Sequence, residues 1–191
     1  MLTLLPPATA LTDDCPVSLV AAHWNDMRAG RVAPQRDQID AQAIAAALPH
    51  VFIAQLVAPR VARMRIVGHK VEALVPYDLR GMPLTALFMG SARDLVMESC
   101  AQVQSGARAI LSLEGARKMG QPPFSARMAL FPLCDASGQI THLLGVLNMS
   151  EPMQPVRGER RFIAAQPLMA EALAAQPKSR PTFQVITGGR A

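Results

Sequence analysis

Apolar positions change their spacing several times along this chain, and each change marks an element. Val20, Trp24 and Met27 fall on one helical stripe that begins at Pro16, a residue suited to a first helical turn, and stops near Gly30. Asp13 or Asp14 is the expected cap of this helix. A polar connector over residues 31–40 ends at Asp40, which is expected to cap a short Ala-rich helix over residues 41–48 that Pro49 terminates. Residues 51–57 form a β-branched and apolar run, and over residues 62–67 Met64 and Ile66 alternate with Arg63 and Arg65. Together they predict an antiparallel hairpin turned at residues 58–60.

At Gly68-His69 the period shifts from strand to helix, with Val71, Leu74 and Val75 at helical spacing. Residues 76–81 are turn chemistry, in which Pro76 fixes its own φ and Gly81 can adopt the left-handed conformation of a sharp reversal. A longer helix follows from Ser91, with Ser91 and Asp94 in a capping-box pattern, a buried stripe of Leu95, Val96, Cys100 and Val103, and Gly106 as its stop. Three strands are predicted over residues 109–113, 124–134 and 140–149, the last two joined by a hairpin turn at residues 135–138. Leu143, Leu144, Val146 and Leu147 put apolar groups on both faces of the last strand. It is therefore expected to be central, covered by short helices on one side and by the Trp24 helix or a second subunit on the other. Residues 150–191 are expected outside the sheet, with helical composition over residues 158–175 broken at Pro167 and a flexible tail from residue 176.

A chain of 191 residues suggests one domain with appendages: an arm over residues 1–15, a body over 16–150 and an extension over 151–191. Half of the residues are apolar and 17% are charged, enough for a substantial core. Aromatics are scarce at 4% beside eleven methionines, so the core is aliphatic and Met-rich, whether as gap-filler or as a plastic ligand pocket. The net charge of +5 is uneven: residues 1–156 hold 13 Lys/Arg against 12 Asp/Glu, and residues 157–191 hold 6 against 2. A nearly neutral body argues against a broad phosphate-binding face. The basic tail is left to be solvated or to touch nucleic acid, an acidic partner or anionic lipid.

Cys15, Cys100 and Cys134 are odd in number and lack CxxC spacing, which suits free thiols in the cytoplasm. No apolar run is long enough to span a bilayer. The chain has no GxGxxG, phosphate-binding Gly-Lys-Ser/Thr loop, HExxH or GxSxG. His23, His50, His69 and His142 are scattered away from any ligand spacing, so no metal site is expected. Cys134 and His142 lie across a hairpin turn without an identifiable orienting group for nucleophilic catalysis. Arg157 and Arg161 form an RxxxR pattern of the kind seen in cyclic-dinucleotide receptors, but its downstream half is missing. No catalytic residue is assigned.

The element order and several short motifs resemble a PAS-like family found mainly in alphaproteobacteria, often as a stand-alone domain. The carrying residues are His23-Trp24, Pro34 to Asp40 with Arg36 and Ile39, Arg63 to His69 with Arg65 and Gly68, Tyr77-Asp78-Leu79-Arg80-Gly81, and Phe131-Pro132-Leu133 followed by Gly138. They span about residues 16–150. His69 departs from a place where a small hydroxyl residue is common, and Ala41 replaces a usual Pro.

The resemblance implies an α+β fold: a five-stranded antiparallel sheet with short helices on one face, an N-terminal helix and a C-terminal helical extension. It implies a non-enzymatic sensory or interaction module that signals through a partner such as a histidine kinase. Dimerisation is expected through the first helix, with Val20, Trp24 and Met27 as contact candidates. Trp24 taken by itself reads first as a packing anchor that docks the helix on the domain, with an exposed anchor for a partner or second subunit as the alternative. Pocket candidates are Arg65, His69, Tyr77, Met82 and Phe88, with Met97 from the long helix. Arg65 could meet an anion and Tyr77 could donate a hydrogen bond, and a solvated arginine face with Tyr77 as a core wall stands equally open. No cofactor is named. A small-molecule carrier or enzyme using the same pocket is the first alternative function, and nucleic-acid binding through the basic tail, not expected, is the second.

Overall fold

A computed structural model of the chain describes residues 15–115, 124–149 and 161–174. Helix α1 (Pro16–Arg28) opens at Cys15, whose extended backbone is the N-cap, with Pro16 in the first turn. The expected cap at Asp13 or Asp14 lies outside the described residues. A 3-10 turn at Arg36–Gln38 crosses to a 3-10 helix, Ala45–His50. Strands β1 (Val51–Ala58) and β2 (Val61–Val67) form the expected hairpin. Helix α2 (His69–Glu72), a 3-10 turn at Leu84–Leu87 and helix α3 (Ser91–Gln104) follow. Strands β3 (Ala107–Gly115), β4 (Ser125–Cys134), β5 (Ile140–Met149) and β6 (Phe162–Ala172) complete one antiparallel sheet in the order β2-β1-β5-β4-β3-β6.

Strand β5 is interior to the sheet, as its two-sided apolar pattern predicts. Leu143 and Leu147 pack with α2, α3 and the turns between them, whereas Leu144 and Val146 pack with Val17, Val20 and Trp24 of α1. Period-2 geometry thus divides one strand between two cores. Gly145 lies on the first face opposite Phe52, where the aromatic ring takes the space a side chain would need.

Three expectations are corrected. Residues 162–172 are a strand rather than a helical extension, so the sheet has six strands instead of five. Pro167 weakens the helical alternative, and β3 offers an edge whose backbone groups need partners. A register shift between Ile110 and Leu111 accommodates Pro167, and Phe162 is fully buried in the first core.

Second, Asp40 does not begin an α-helix. Its carboxylate accepts from the Gln42 amide at 2.8 Å, and the chain winds as a 3-10 helix with Pro49 inside it. That tighter winding delivers His50 to the sheet, where Nδ1–H donates to the Leu147 carbonyl. Third, Ser91 and Asp94 form no capping box, because Gly90 is the N-cap with φ of +52° and Ser91 is already helical. The expected flexible arm and tail lie largely outside the described residues. No helix among those described is long and apolar enough to cross a membrane.

Candidate functional site

Of the six residues predicted to line one pocket, Tyr77 and Phe88 belong to the first core, and the other four are exposed or half-buried. Arg65 is exposed on β2, and its Nε and Nη2 both donate to Gln55 Oε1 on β1, at 3.0 and 2.6 Å. His69 and Met82 are exposed, Met97 is half-buried on α3, and Phe88 is fully buried. Tyr77 is half-buried and its hydroxyl accepts from Arg161 Nη2 at 3.3 Å. Where a ligand was expected, Phe52, Met64, Leu74, Leu79, Leu84, Leu87, Phe88 and Phe162 are buried side by side. The Phe162 ring lies 5.5 Å from Phe88 and 5.4 Å from Phe124, so β6 itself plugs this interior. Sequence periodicity could not reveal the plug, because Phe162 lies far along the chain from the helices it packs against.

Two of the three dimer candidates are likewise placed inside the chain. Val20 and Trp24 have no exposed surface, and Met27 is half-buried. Trp24 Nε1–H donates to the Pro132 carbonyl at 2.9 Å, and its ring lies 5.3 Å from that of Phe131. Trp24 is the packing anchor of α1, and neither it nor Val20 offers surface for a second subunit in this conformation.

The histidines have separate environments. His23 Nε2 accepts from the Asp40 amide at 3.0 Å. His50, almost fully buried, has Lys70 Nζ 3.0 Å from its Nε2, and burial first, with Lys70 and His69 adding to it, lowers its pKa. No cluster of metal-ligating side chains occurs among the described residues. Burial pushes the Cys100 thiol up to about 12 and also raises Cys134, so neither provides a ready thiolate.

A cleft of about 230 Å³ opens at one end of the sheet. It is lined by Gln35, Arg36 and Asp37 of the connector, and by Cys134, Asp135, Ala136 and His142 of the β4–β5 hairpin. The two walls are fastened by the Cys134 amide, which donates to the Pro34 carbonyl at 2.9 Å. The Gln35–Gln38 capping box stiffens the connector wall. Asp135 shapes the opposite rim, accepting from Ser137 N, Ser137 Oγ and Gln139 N. His142 has Thr141 Oγ1 3.0 Å from Nδ1, while burial, followed by Arg36 and Arg65, lowers its pKa. The connector motif and the Cys134–His142 pair were both visible in the sequence. Their meeting depends on a contact across about a hundred residues, for which neither motif carries a signal.

Several solved structures are similar at low identity. One is a LOV protein of Rhodobacter sphaeroides, with 12% identity and a TM-score of 0.42, covering 53% of this chain and 58% of that one. A second is an RNA-binding light-oxygen-voltage receptor, with 17% identity and a TM-score of 0.41, covering 59% and 33%. A third is the light state of the Aureochrome1 LOV domain, with 15% identity and a TM-score of 0.41, covering 58% and 88%. The first two are thus matched over less than two thirds of their own length. No curated protein matches the chain. A family model described as a PAS domain matches residues 13–148. With that match over most of its length, the chain belongs to the PAS domain family, whose members are generally sensory modules.

Proposed function

We propose that this chain is a non-enzymatic, cytoplasmic PAS module that regulates signalling by binding a partner protein, such as a histidine kinase, as a homodimer. The observation that supports the reading is the filled interior: the Phe88 and Phe162 rings lie 5.5 Å apart in a tilted contact, and neither has exposed surface. A module without an internal ligand acts through its surface. The free thiols of Cys15, Cys100 and Cys134 suit a reducing compartment. Since α1 spends Val20 and Trp24 on its own sheet, a dimer contact through this helix falls to its outward side beside Met27.

Native mass spectrometry of freshly purified full-length protein, paired with light scattering, tests this reading. The expected result is the mass of the bare polypeptide and a dimer at high concentration. A stoichiometric small molecule that copurifies with the protein would turn the reading toward a carrier or enzyme. A chain that stays monomeric at high concentration would overturn the dimer.

A further inference from the structure

We propose that the cleft between the connector and the β4–β5 hairpin binds a small molecule through a compact oxyanion, a carboxylate or phosphate, held by Arg36 and His142. This site lies outside the filled interior and goes beyond the partner-binding role, on which it does not depend.

The walls are already fixed before a ligand arrives. The Pro34–Cys134 backbone bond closes one end, and the Gln35–Gln38 capping box holds the turn that carries Arg36. A preformed, concave site loses less entropy on binding than a mobile one. Within it, the Arg36 guanidinium has no hydrogen-bond or ion-pair partner among the described residues, so its donors are available to an oxyanion. His142 has Thr141 at Nδ1; in the tautomer where that hydroxyl donates, the ring presents Nε2–H as a further donor. Arg65, held by Gln55, adds positive potential at His142 from β2.

Two carboxylates also line the cleft, and their roles differ. Asp135 is occupied by three donors of its own turn. Asp37 has no such partners, lies beside Arg36 and opposes an anion. The site is therefore only modestly attractive to an anion, and weak binding follows. Arg36 and Arg65, opposed by Asp135, act with burial to hold His142 mostly neutral, and Asp37 and the Cys134 thiol are the other titratable groups at the cleft. A bound oxyanion favours the imidazolium, so affinity rises as pH falls through the ordinary histidine range.

The test is an NMR titration of the full-length protein, following the His142 ring and the amides of residues 35–37 and 134–136. Inorganic phosphate and acetate are added separately at constant ionic strength. The expected result is a saturable shift with one or both, at concentrations up to about 10 mM. Which anion saturates identifies the group. Arg36→Gln should weaken binding about tenfold, and Asp37→Asn should tighten it by a smaller factor. Both side chains are exposed, so both variants are expected to fold. Arg60→Gln, which removes a surface ion pair with Glu98, serves as the control and should leave binding unchanged. Absence of a saturable shift with either anion overturns the proposal. So does an equal loss in Arg36→Gln and Arg60→Gln, which would reduce the effect to general ionic attraction.

Discussion

Phe52 and Gly145 face each other across β1 and β5, and a Cβ built on Gly145 would come within 2.0 Å of the Phe52 ring. The glycine is kept for space rather than for backbone freedom. Gly145→Ala forces the fully buried ring off its position and should cost about 1–3 kcal/mol. Urea unfolding would show a lower midpoint with an unchanged slope. Adding Phe52→Leu should recover part of the loss, since the two substitutions act on one contact.

Trp24 is predicted to contribute through both its ring and its N–H. Trp24→Phe keeps much of the contact with Phe131 but leaves the Pro132 carbonyl without its buried donor, at a cost of about 1–3 kcal/mol. Trp24→Ala should cost about 3–5 kcal/mol. Calorimetry or circular dichroism reads both, because each variant removes the chain's only tryptophan fluorophore.

Phe162 tests whether the last strand belongs to the core. Phe162→Ala should cost about 3–5 kcal/mol, because it empties the space between Phe88 and Phe124. Leu168→Ser, at an exposed position of the same strand, should fall within about 0.5 kcal/mol of the parent. Equal, small effects from both would mean that β6 contributes little to stability.

His50 makes stability depend on pH. Its folded pKa lies below the ordinary value, so the unfolded state takes up more protons as pH falls through that range. Stability is then level above about pH 7 and declines below about pH 6.5, by at most about 1.4 kcal/mol per pH unit for one group. His142 is shifted in the same direction. His50→Gln and His142→Gln should each flatten part of the decline, and urea midpoints between pH 5 and 8 would measure it.

The thiols should react in order of access. Cys15 is half-exposed, whereas Cys100 is buried with a thiol pushed up to about 12. Alkylation followed by mass spectrometry at neutral pH should modify Cys15 first and leave Cys100 untouched until the protein unfolds. Early modification of Cys100 would show that α3 opens readily from the sheet.

Local periodicity determined much of this protein. The α1 stripe, the β1–β2 hairpin, the turn at Gly81 with φ of +80° and the two-sided apolar pattern of β5 are each set by neighbours within a few residues. The order of these elements was enough to suggest the family. Tertiary structure decided what depended on distant partners. Residues 162–172 carry a helical composition broken by one proline, and they became a strand because the β3 edge satisfies their backbone and the first core takes Phe162. Strand alternation turns Arg65 away from the face that Met64 buries, and His69 and Met82 are also left exposed, while a backbone contact between residues 34–35 and Cys134 assembled a different cleft around Arg36 and His142. Short-range spacing encodes which face of an element is apolar; which distant surface will cover that face is decided only when the whole chain competes for the same core.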